Sequence, residues 1–533
     1  MDATPVEIAA RRLIEALLAL TVLALWAGAF VGLGASGYWV DELWTLFVAS
    51  DAGGAGDVLR RALTDGHPPV YYLIIHAWMR LFGDSEAATR SFSALCAVTA
   101  GALFVAANRN VFSRPARLFG AAVGAGSFFW FKQSQNARSY ALSMLILTAL
   151  LSCAVAAKRQ NRAGQPVSWT LCAGIAVLGL IGAFVHYYFF LTVGLLYLAL
   201  LVGVPDLRLR ATVLASGGVI LAAILAYMRV AHGHLLFTNN WFSNSPEALF
   251  GAAGNAWSMM LDSWAKRALL VLAAGALYGL LRRRRGAGDT APAPLGHWIA
   301  GVSLFLMLGL AAAGLAAAFL VEPSFSARNL MLTAPCVWIL AAWLYDRGAG
   351  CCAPRVGLIF AGAAAVLVAF QVLALNGRLV NRTEDWRGSA QYVSALPACR
   401  GRDIPVVLPG VFAPDSPFYR GLAEHDFFGR YYRGGGRLRV QTSSELAASR
   451  EPGLVALLDA RAGGADPCPV LAWGVHDIDD PGADKLAQAL ARRPEINAPV
   501  TVRRFLSYRR VPDGWRLGPP AAYVFERAAP SGR

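Results

Sequence analysis

Recurring apolar runs set the limits on what this chain can fold into. Stretches of twenty or so residues with few charges return again and again through the first two-thirds of the sequence. Coiled as a helix rising about 1.5 Å per residue, each such run matches a bilayer hydrocarbon core of about 30 Å. Of the 533 residues 56% are hydrophobic and only 15% charged, and the mean hydropathy is +0.47. That is the composition of a polytopic membrane protein. The formal net charge of +15 does not point to nucleic acid. Its basic residues sit in short clusters between apolar segments, as solvated cytoplasmic loops do under the positive-inside rule.

Those clusters fix the expected topology. Residues 1–12 form a polar start ending in Arg11 and Arg12, and the run from Leu13 to Ala35 reads as a signal anchor with its start inside. Its apolar core exceeds the roughly 7–15 residues of a cleavable signal. The segment from Pro68 to Phe82 is apolar but would reach only about 22 Å as a helix. Reading it as an outer interfacial helix leaves spans near 87–107, 116–131, 139–157, 167–186, 188–204, 211–231, 267–281, 297–320, 329–345 and 356–375. With that count, about eleven spans in all, every strong basic cluster lands inside. These are Arg109/Arg114/Arg117, Lys158/Arg159/Arg162, Arg208/Arg210, Arg282 to Arg285 and Arg347/Arg355. If the segment crossed, all of them would face outward. Pro68 and Pro69 suit the first turn of such a helix.

The outer side then carries loops 36–86, 131–138, a turn near His186, 232–265 and 321–328. The first opens with adjacent carboxylates, Asp41 and Glu42, ringed by Tyr38, Trp39 and Trp44. Acids at a membrane edge among aromatics are a functional-site signal. The inner loops are short and basic, and no phosphate-binding P-loop occurs, which argues against an ATP-driven pump.

After about residue 376 the character changes. IPVVLP, GLVALLDA, TVRRFLSYRRV and AAYVFE read as strands, with helical stretches at Ser443–Ser449 and Ala483–Arg493. Two domains are therefore expected, a transmembrane domain at 1–375 and a soluble α/β domain at 376–533. An odd number of spans places the second outside with the acids. The sequon at Asn381 lies there and carries no expected role in a bacterium. Six of the eight cysteines fall in apolar spans or an inner loop, without metal-ligand spacing. Cys399 and Cys468 lie in the soluble part, either as a disulfide in an oxidising compartment or as two buried thiols.

In this order, an acidic pair after the first span, HPPVYYL…W.RLFG from His67 and QSQNARSYAL from Gln133 resemble the GT-C glycosyltransferases. More narrowly, they resemble the branch holding protein O-mannosyltransferases and lipid A aminoarabinose transferases. The likeness covers residues 13–160 well and continues loosely through HYYFF at 186–190, FSARNL at 325–330 and EDWRGSAQYV at 384–393. It implies a GT-C fold with periplasmic juxtamembrane helices in a bacterial inner membrane, N-terminus cytoplasmic and C-terminal domain periplasmic. It also implies inverting transfer of a sugar from a polyprenyl-phosphate donor to an envelope acceptor, whether glycan, lipid A or protein hydroxyl. The alternative is a polyprenyl-lipid transporter or flippase. A transporter should show repeated halves and midplane charges, whereas here the notable charges gather at the outer edge.

The resemblance assigns Asp41 as the catalytic base that takes the acceptor's proton. Glu42 is an alternative base, or it orients the acceptor, anchors the loop or helps hold a metal. A departing phosphate needs cations, and Arg138 and Arg328 suit its geometry, with Lys132 either joining them or snorkelling. His67 either bonds donor phosphate or Asp41, or caps the helix at Pro68. Tyr71, Tyr140, His186 and Tyr187 complete the candidate substrate-binding set, Tyr187 also fitting an aromatic belt. The loop 232–265, with Asn239, Asn240, Trp241 and Trp257, is either a lid or a wet interfacial loop. Metal-dependent relatives place a second acidic motif where this chain has Gln133, Gln135 and Asn136. No metal or other cofactor is therefore expected, although Asp41, Glu42 and His67 are the residues that would hold a divalent ion.

Overall fold

In the computed structural model, residues 4–50, 53–65, 67–232, 245–283, 294–320, 325–350, 354–377, 385–408, 428–442, 468, 470–472, 480–492, 499–511 and 514–527 are described. Helices come first: α1 (Pro5–Gly28), α2 (Val40–Ala49), α3 (Ala55–Ala62), α4 (Val70–Phe82), α5 (Glu86–Ala107), α6 (Arg114–Ala125), α7 (Phe128–Ser134), α8 (Tyr140–Arg162) and α9 (Trp169–Ala183). They continue as α10 (Tyr187–Gly203), α11 (Leu207–His232), α12 (Pro246–Met260), α13 (Ser263–Arg283), α14 (Pro294–Leu320), α15 (Ala327–Leu330), α16 (Ala334–Ala349) and α17 (Pro354–Ala369).

Each of the eleven apolar segments coincides with helix. Among the described residues seven helices are long and apolar enough to cross a membrane by length and composition. The remaining four depart for identifiable reasons. Helix α1 has 24 residues, but Glu7, Arg11, Arg12 and Glu15 load its first half with charge. The expected span 116–131 is two helices, because the chain turns at Gly126 and Ser127 caps α7 by accepting the Trp130 amide at 3.1 Å. Helices α9 and α10 have 15 and 17 residues, about 23 and 26 Å. The ambiguous segment forms α4, 13 residues long, about 20 Å and short of a crossing.

Close helix approach needs small side chains. Helix α6 packs on α16, and a Cβ at Gly120 would lie 2.6 Å from the Trp338 carbonyl oxygen. At Gly124 it would strike the Trp338 ring. Other buried neighbours of this seam are Phe104, Phe119 and Tyr345, the last two stacked obliquely at 5.1 Å.

The C-terminal part contributes α18 (Trp386–Ala395), β1 (Ile404–Leu408), α19 (Phe428–Tyr431), β2 (Leu438–Thr442), β3 (Val470–Ala472), α20 (Asp480–Ala491), β4 (Val500–Val511) and β5 (Gly514–Arg527). The strands form a mixed sheet in the order β2-β1-β3-β5-β4, parallel around β1 and antiparallel through β3, β5 and β4. Strands β1, β4 and β5 and helix α20 lie where the sequence indicates, while β2 and β3 carry no clear signal. GLVALLDA, the helical stretch 443–449, the sequon at Asn381, and Asn239, Asn240 and Trp241 lie outside the described residues. Trp386, Ala390, Val393, Ile404, Val406, Phe428, Ala522 and Val524 build the core here, and Cys399 and Cys468 are joined as a disulfide.

Candidate active site

Helix α2 organises the site. Its first turn carries Asp41 and Glu42, where a helix N-terminus favours negative charge. Consecutive side chains on a helix diverge by about 100°, so the two carboxylates face different surroundings.

Glu42 is fully buried. Its Oε1 accepts Arg90 Nε at 2.9 Å and the Ala137 amide at 2.8 Å, and its Oε2 accepts Arg90 Nη2 at 2.6 Å. Arg90 has 1% exposure and also donates to the carbonyls of Leu33, Ser36 and Gly37 at 2.8–2.9 Å. Such a fork binds the carboxylate and the entering loop as one unit.

Asp41 keeps 27% side-chain exposure and accepts Arg328 Nη1 at 2.8 Å. Arg138, from the turn before α8, donates Nη1 to the Asp41 carbonyl and to Thr45 Oγ1, both at 3.2 Å. Arg138 Nε is buried with no hydrogen-bond partner among the described residues. Burial pushes the Asp41 carboxyl up, but Arg138, then Arg328 and its hydrogen bond, more than offset this and hold it below the usual carboxylate value. The Trp39 ring lies between two cations, Arg328 at 5.1 Å and Lys132 at 5.5 Å. Its indole N–H donates to Asn136 Oδ1 at 2.9 Å.

The amides that replace an acidic motif therefore have structural partners. Gln135 Nε2 donates to the Val31 carbonyl at 2.7 Å and more weakly to Gly28 and Ala29, closing the end of α1. Asn136 ties Trp39 to Gln133. Among the described residues no group of three His, Cys, Asp or Glu side chains converges as a metal-ligand set.

A second polar group adjoins the first. Asp65, with 2% exposure, pairs with His67 Nδ1 at 3.2 Å and accepts the Tyr72 hydroxyl. Burial raises its carboxyl, but His67 and the Tyr72 bond outweigh that and leave it below the usual value. The His67 ring meets His186 edge-on at 5.3 Å, and His186 lies 5.7 Å from Tyr140. His186 Nδ1 accepts the Tyr188 amide at 3.2 Å, which places the proton of a neutral ring on Nε2. Burial, then His67 and Arg138, push His186 well below the ordinary histidine value, so it stays neutral. Tyr187 is half-buried at the start of α10, within electrostatic reach of Asp65 and Tyr227. Tyr71 is buried against Tyr72 and Phe92.

Asp41, Lys132, Arg138, Tyr140, His67, His186 and Arg328 thus converge from five separate stretches of chain. Glu42 lies behind them on Arg90. Two participants escape the sequence reading, and a third is seen only in part. Arg90 is a charge inside an apolar run, itself a signal of function or pairing. Asp65 stands two residues before His67, a spacing that permits a local carboxylate–imidazole pair. Trp39 reads as one of the aromatics around the acidic pair, but the sequence gives no sign of its two cations.

Residues 66–232 match the family of dolichyl-phosphate-mannose-protein mannosyltransferases, a range that includes His67, Lys132, Arg138, Tyr140 and His186. No curated protein matches the sequence significantly. Among solved structures, arabinofuranosyltransferase AftD from Mycobacteria aligns at 15% identity and TM-score 0.46, over 98% of this chain and 40% of that one. This chain therefore spans well under half the length of AftD. ArnT from Cupriavidus metallidurans aligns at 14% identity and TM-score 0.49, over 97% and 98% of the two chains. The Archaeoglobus fulgidus oligosaccharyltransferase aligns at 11% identity and TM-score 0.44, over 95% and 73%. The family match thus runs through loops that carry the site, in a chain whose architecture is that of a polytopic helical membrane protein.

Proposed function

We propose that the chain is an inverting glycosyltransferase that moves a sugar from a polyprenyl phosphate to a hydroxyl of an envelope acceptor, glycan, lipid A or protein. The site faces the periplasm of a bacterial inner membrane, and the soluble domain at 376–533 lies on the same side. The observation that carries this reading is the Asp41–Arg328 pair beside Arg138, a part-exposed carboxylate and two guanidiniums at the start of α2.

The chemistry needs both signs of charge there. The acceptor oxygen bonds to the anomeric carbon as the bond from that carbon to the phosphate oxygen breaks. The acceptor's proton goes to Asp41, and the electron pair leaves with polyprenyl phosphate. Asp41 is held ionised by its arginines, so it can accept a proton at neutral pH. The leaving phosphate is stabilised by Arg138, whose unpartnered Nε is suited to an incoming anion, and by Arg328 and Lys132. Glu42 serves as the anchor that fixes α2. Gln133, Gln135 and Asn136 stand where a second acidic motif would be, so the transfer proceeds without a divalent cation.

Mass spectrometry of glycans and lipid A from cells carrying wild type, Asp41→Asn or a deletion tests the reading, with extracts assayed with and without EDTA. One sugar increment should vanish in both mutants at normal protein abundance, and EDTA should leave transfer intact. A mutant profile like wild type but unlike the deletion would remove Asp41 as the base. Identical profiles in all three would favour a transporter, and loss of transfer in EDTA would reject metal independence.

A further inference from the structure

Between α1 and α2 the chain runs through eleven residues, 29–39, without helix or strand, and the stretch from Leu33 to Tyr38 leads into the site. Backbone polar groups at such a place need partners. Arg90 takes the carbonyls of Leu33, Ser36 and Gly37. The carbonyls of Gly34 and Ala35 and the amide of Tyr38 are met from the far end of the sequence. Arg387 Nη1 donates to the Gly34 carbonyl at 3.1 Å and Nη2 to that of Ala35 at 2.6 Å. The Tyr431 hydroxyl accepts the Tyr38 amide at 2.9 Å and donates to Glu86 Oε1 at 2.9 Å. Glu86 in turn lies 3.5 Å from Arg387. Arg430 adds a bond to Asp84 Oδ2 at 2.8 Å, with its guanidinium 5.3 Å from the Tyr38 ring centroid.

Packing agrees with the hydrogen bonds. A Cβ at Gly37 would sit 2.9 Å from the Cβ of Arg387, so glycine is what lets α18 approach the loop. Two residues after this contact comes Trp39, which holds Arg328 and Lys132, and two further on comes Asp41.

From this juxtaposition we infer that Arg387 and Tyr431 of the C-terminal domain are positioning residues for the catalytic loop. They set the path by which Asp41 enters the site, so the soluble domain is a working part of the catalytic apparatus as well as any acceptor-binding surface. The inference rests on the proposed role of Asp41 for its consequence on rate, but its structural half stands without it. One braced side of the loop belongs to the membrane domain through Arg90. The other belongs to the soluble domain, and a bound acceptor that shifts α18 or α19 would shift the loop.

The test uses the full chain in lipid nanodiscs, as wild type, Tyr431→Phe, Arg387→Lys and Arg387→Ala. Tyr431→Phe removes one hydroxyl and little volume; Arg387→Lys keeps charge and loses the fork. Amide exchange is followed in peptides covering residues 33–42, alongside kcat, donor KM and melting temperature. Exchange there should quicken about threefold or more in Tyr431→Phe and Arg387→Ala with the rest of the chain unchanged. Turnover should fall about tenfold with donor KM within about twofold, the sign of a lost transition-state geometry, and Arg387→Lys should not restore it. Unchanged exchange in 33–42 would overturn the inference whether or not the protein transfers sugar. So would quickened exchange with full kcat, or a turnover loss that tracks a lower melting temperature and exchange throughout the soluble domain. A wild-type protein with no transfer activity would instead strike the proposed function, leaving exchange to decide the brace.

Discussion

Two faces of one short helix make the sharpest contrast in the molecule. Asp41 and Glu42 are chemically near-identical neighbours, yet one side of α2 opens on a part-exposed cluster of cations and the other closes on a buried guanidinium. Glu42 has its oxygens committed to Arg90 and to a backbone amide. Asp41 has a single ion pair to an arginine that is itself 43% exposed. A carboxylate saturated by fixed donors is a structural bolt, and one with an exchangeable partner is available for proton transfer. The difference is made by the helix's 100° step and by what α5 and α15 bring to each side.

The largest effect expected of this contrast comes from replacing each acid by its amide. Asp41→Asn should lower turnover by about 10²–10⁴, the range of a lost general base, with folding intact because the residue is part-exposed. Glu42→Gln leaves the Arg90 charge buried and uncompensated, which costs about 3–5 kcal/mol for a broken buried pair. It should therefore show first as a lower melting temperature and yield. Paired turnover and thermal-melt measurements check this. An Asp41→Asn protein that melts early but turns over normally when folded would exchange the two roles.

How far the contrast is legible in the sequence differs by residue. The hydrophobic runs and basic clusters are strong signals because burying backbone in lipid leaves few solutions, and helices occupy every expected apolar segment. The acidic pair is conspicuous for the same reason. Its division of labour is not, since it depends on Arg90 arriving from 48 positions later. Gln135 and Asn136 are legible as amides in place of carboxylates, but their own bonds to Val31 and Trp39 depend on tertiary contact. The brace from Arg387 and Tyr431 is still less readable, with more than 350 residues between its partners. Local pattern carries secondary structure; long-range hydrogen bonds carry the site.

A smaller effect probes the electrostatics on the open face. Arg138 and Arg328 hold the Asp41 carboxyl below its ordinary value against the upward pull of burial. Activity that needs ionised Asp41 is therefore present at neutral pH and is lost as pH falls through that lowered value. Arg328→Gln removes one of the charges that depress it, so the acid limb of kcat/KM should begin at higher pH. The pH–rate profiles of wild type and variant decide it. An acid limb that stays in place would mean that Asp41 is not the group titrating, or that Arg138 alone sets its charge.

The smallest effect concerns the second carboxylate, Asp65, which touches the site through His67. With His67 Nδ1 turned to Asp65 Oδ2 and Tyr72 fixing the same oxygen, the imidazole is oriented with Nε2 as its remaining polar atom. His67 keeps 29% exposure while Asp65 has 2%, so the histidine is the one able to meet substrate. Asp65→Asn preserves the shape and an acceptor oxygen but loses the charge. It should lower turnover by roughly tenfold, by analogy with the partners that orient metal-bound histidines. His67→Ala should cost at least as much, and the double variant should be no worse than His67→Ala alone, because Asp65 then has nothing left to orient. Kinetics on the three variants check the cycle. Additive losses would show Asp65 acting by another route, for which its electrostatic reach to Arg138 offers the path.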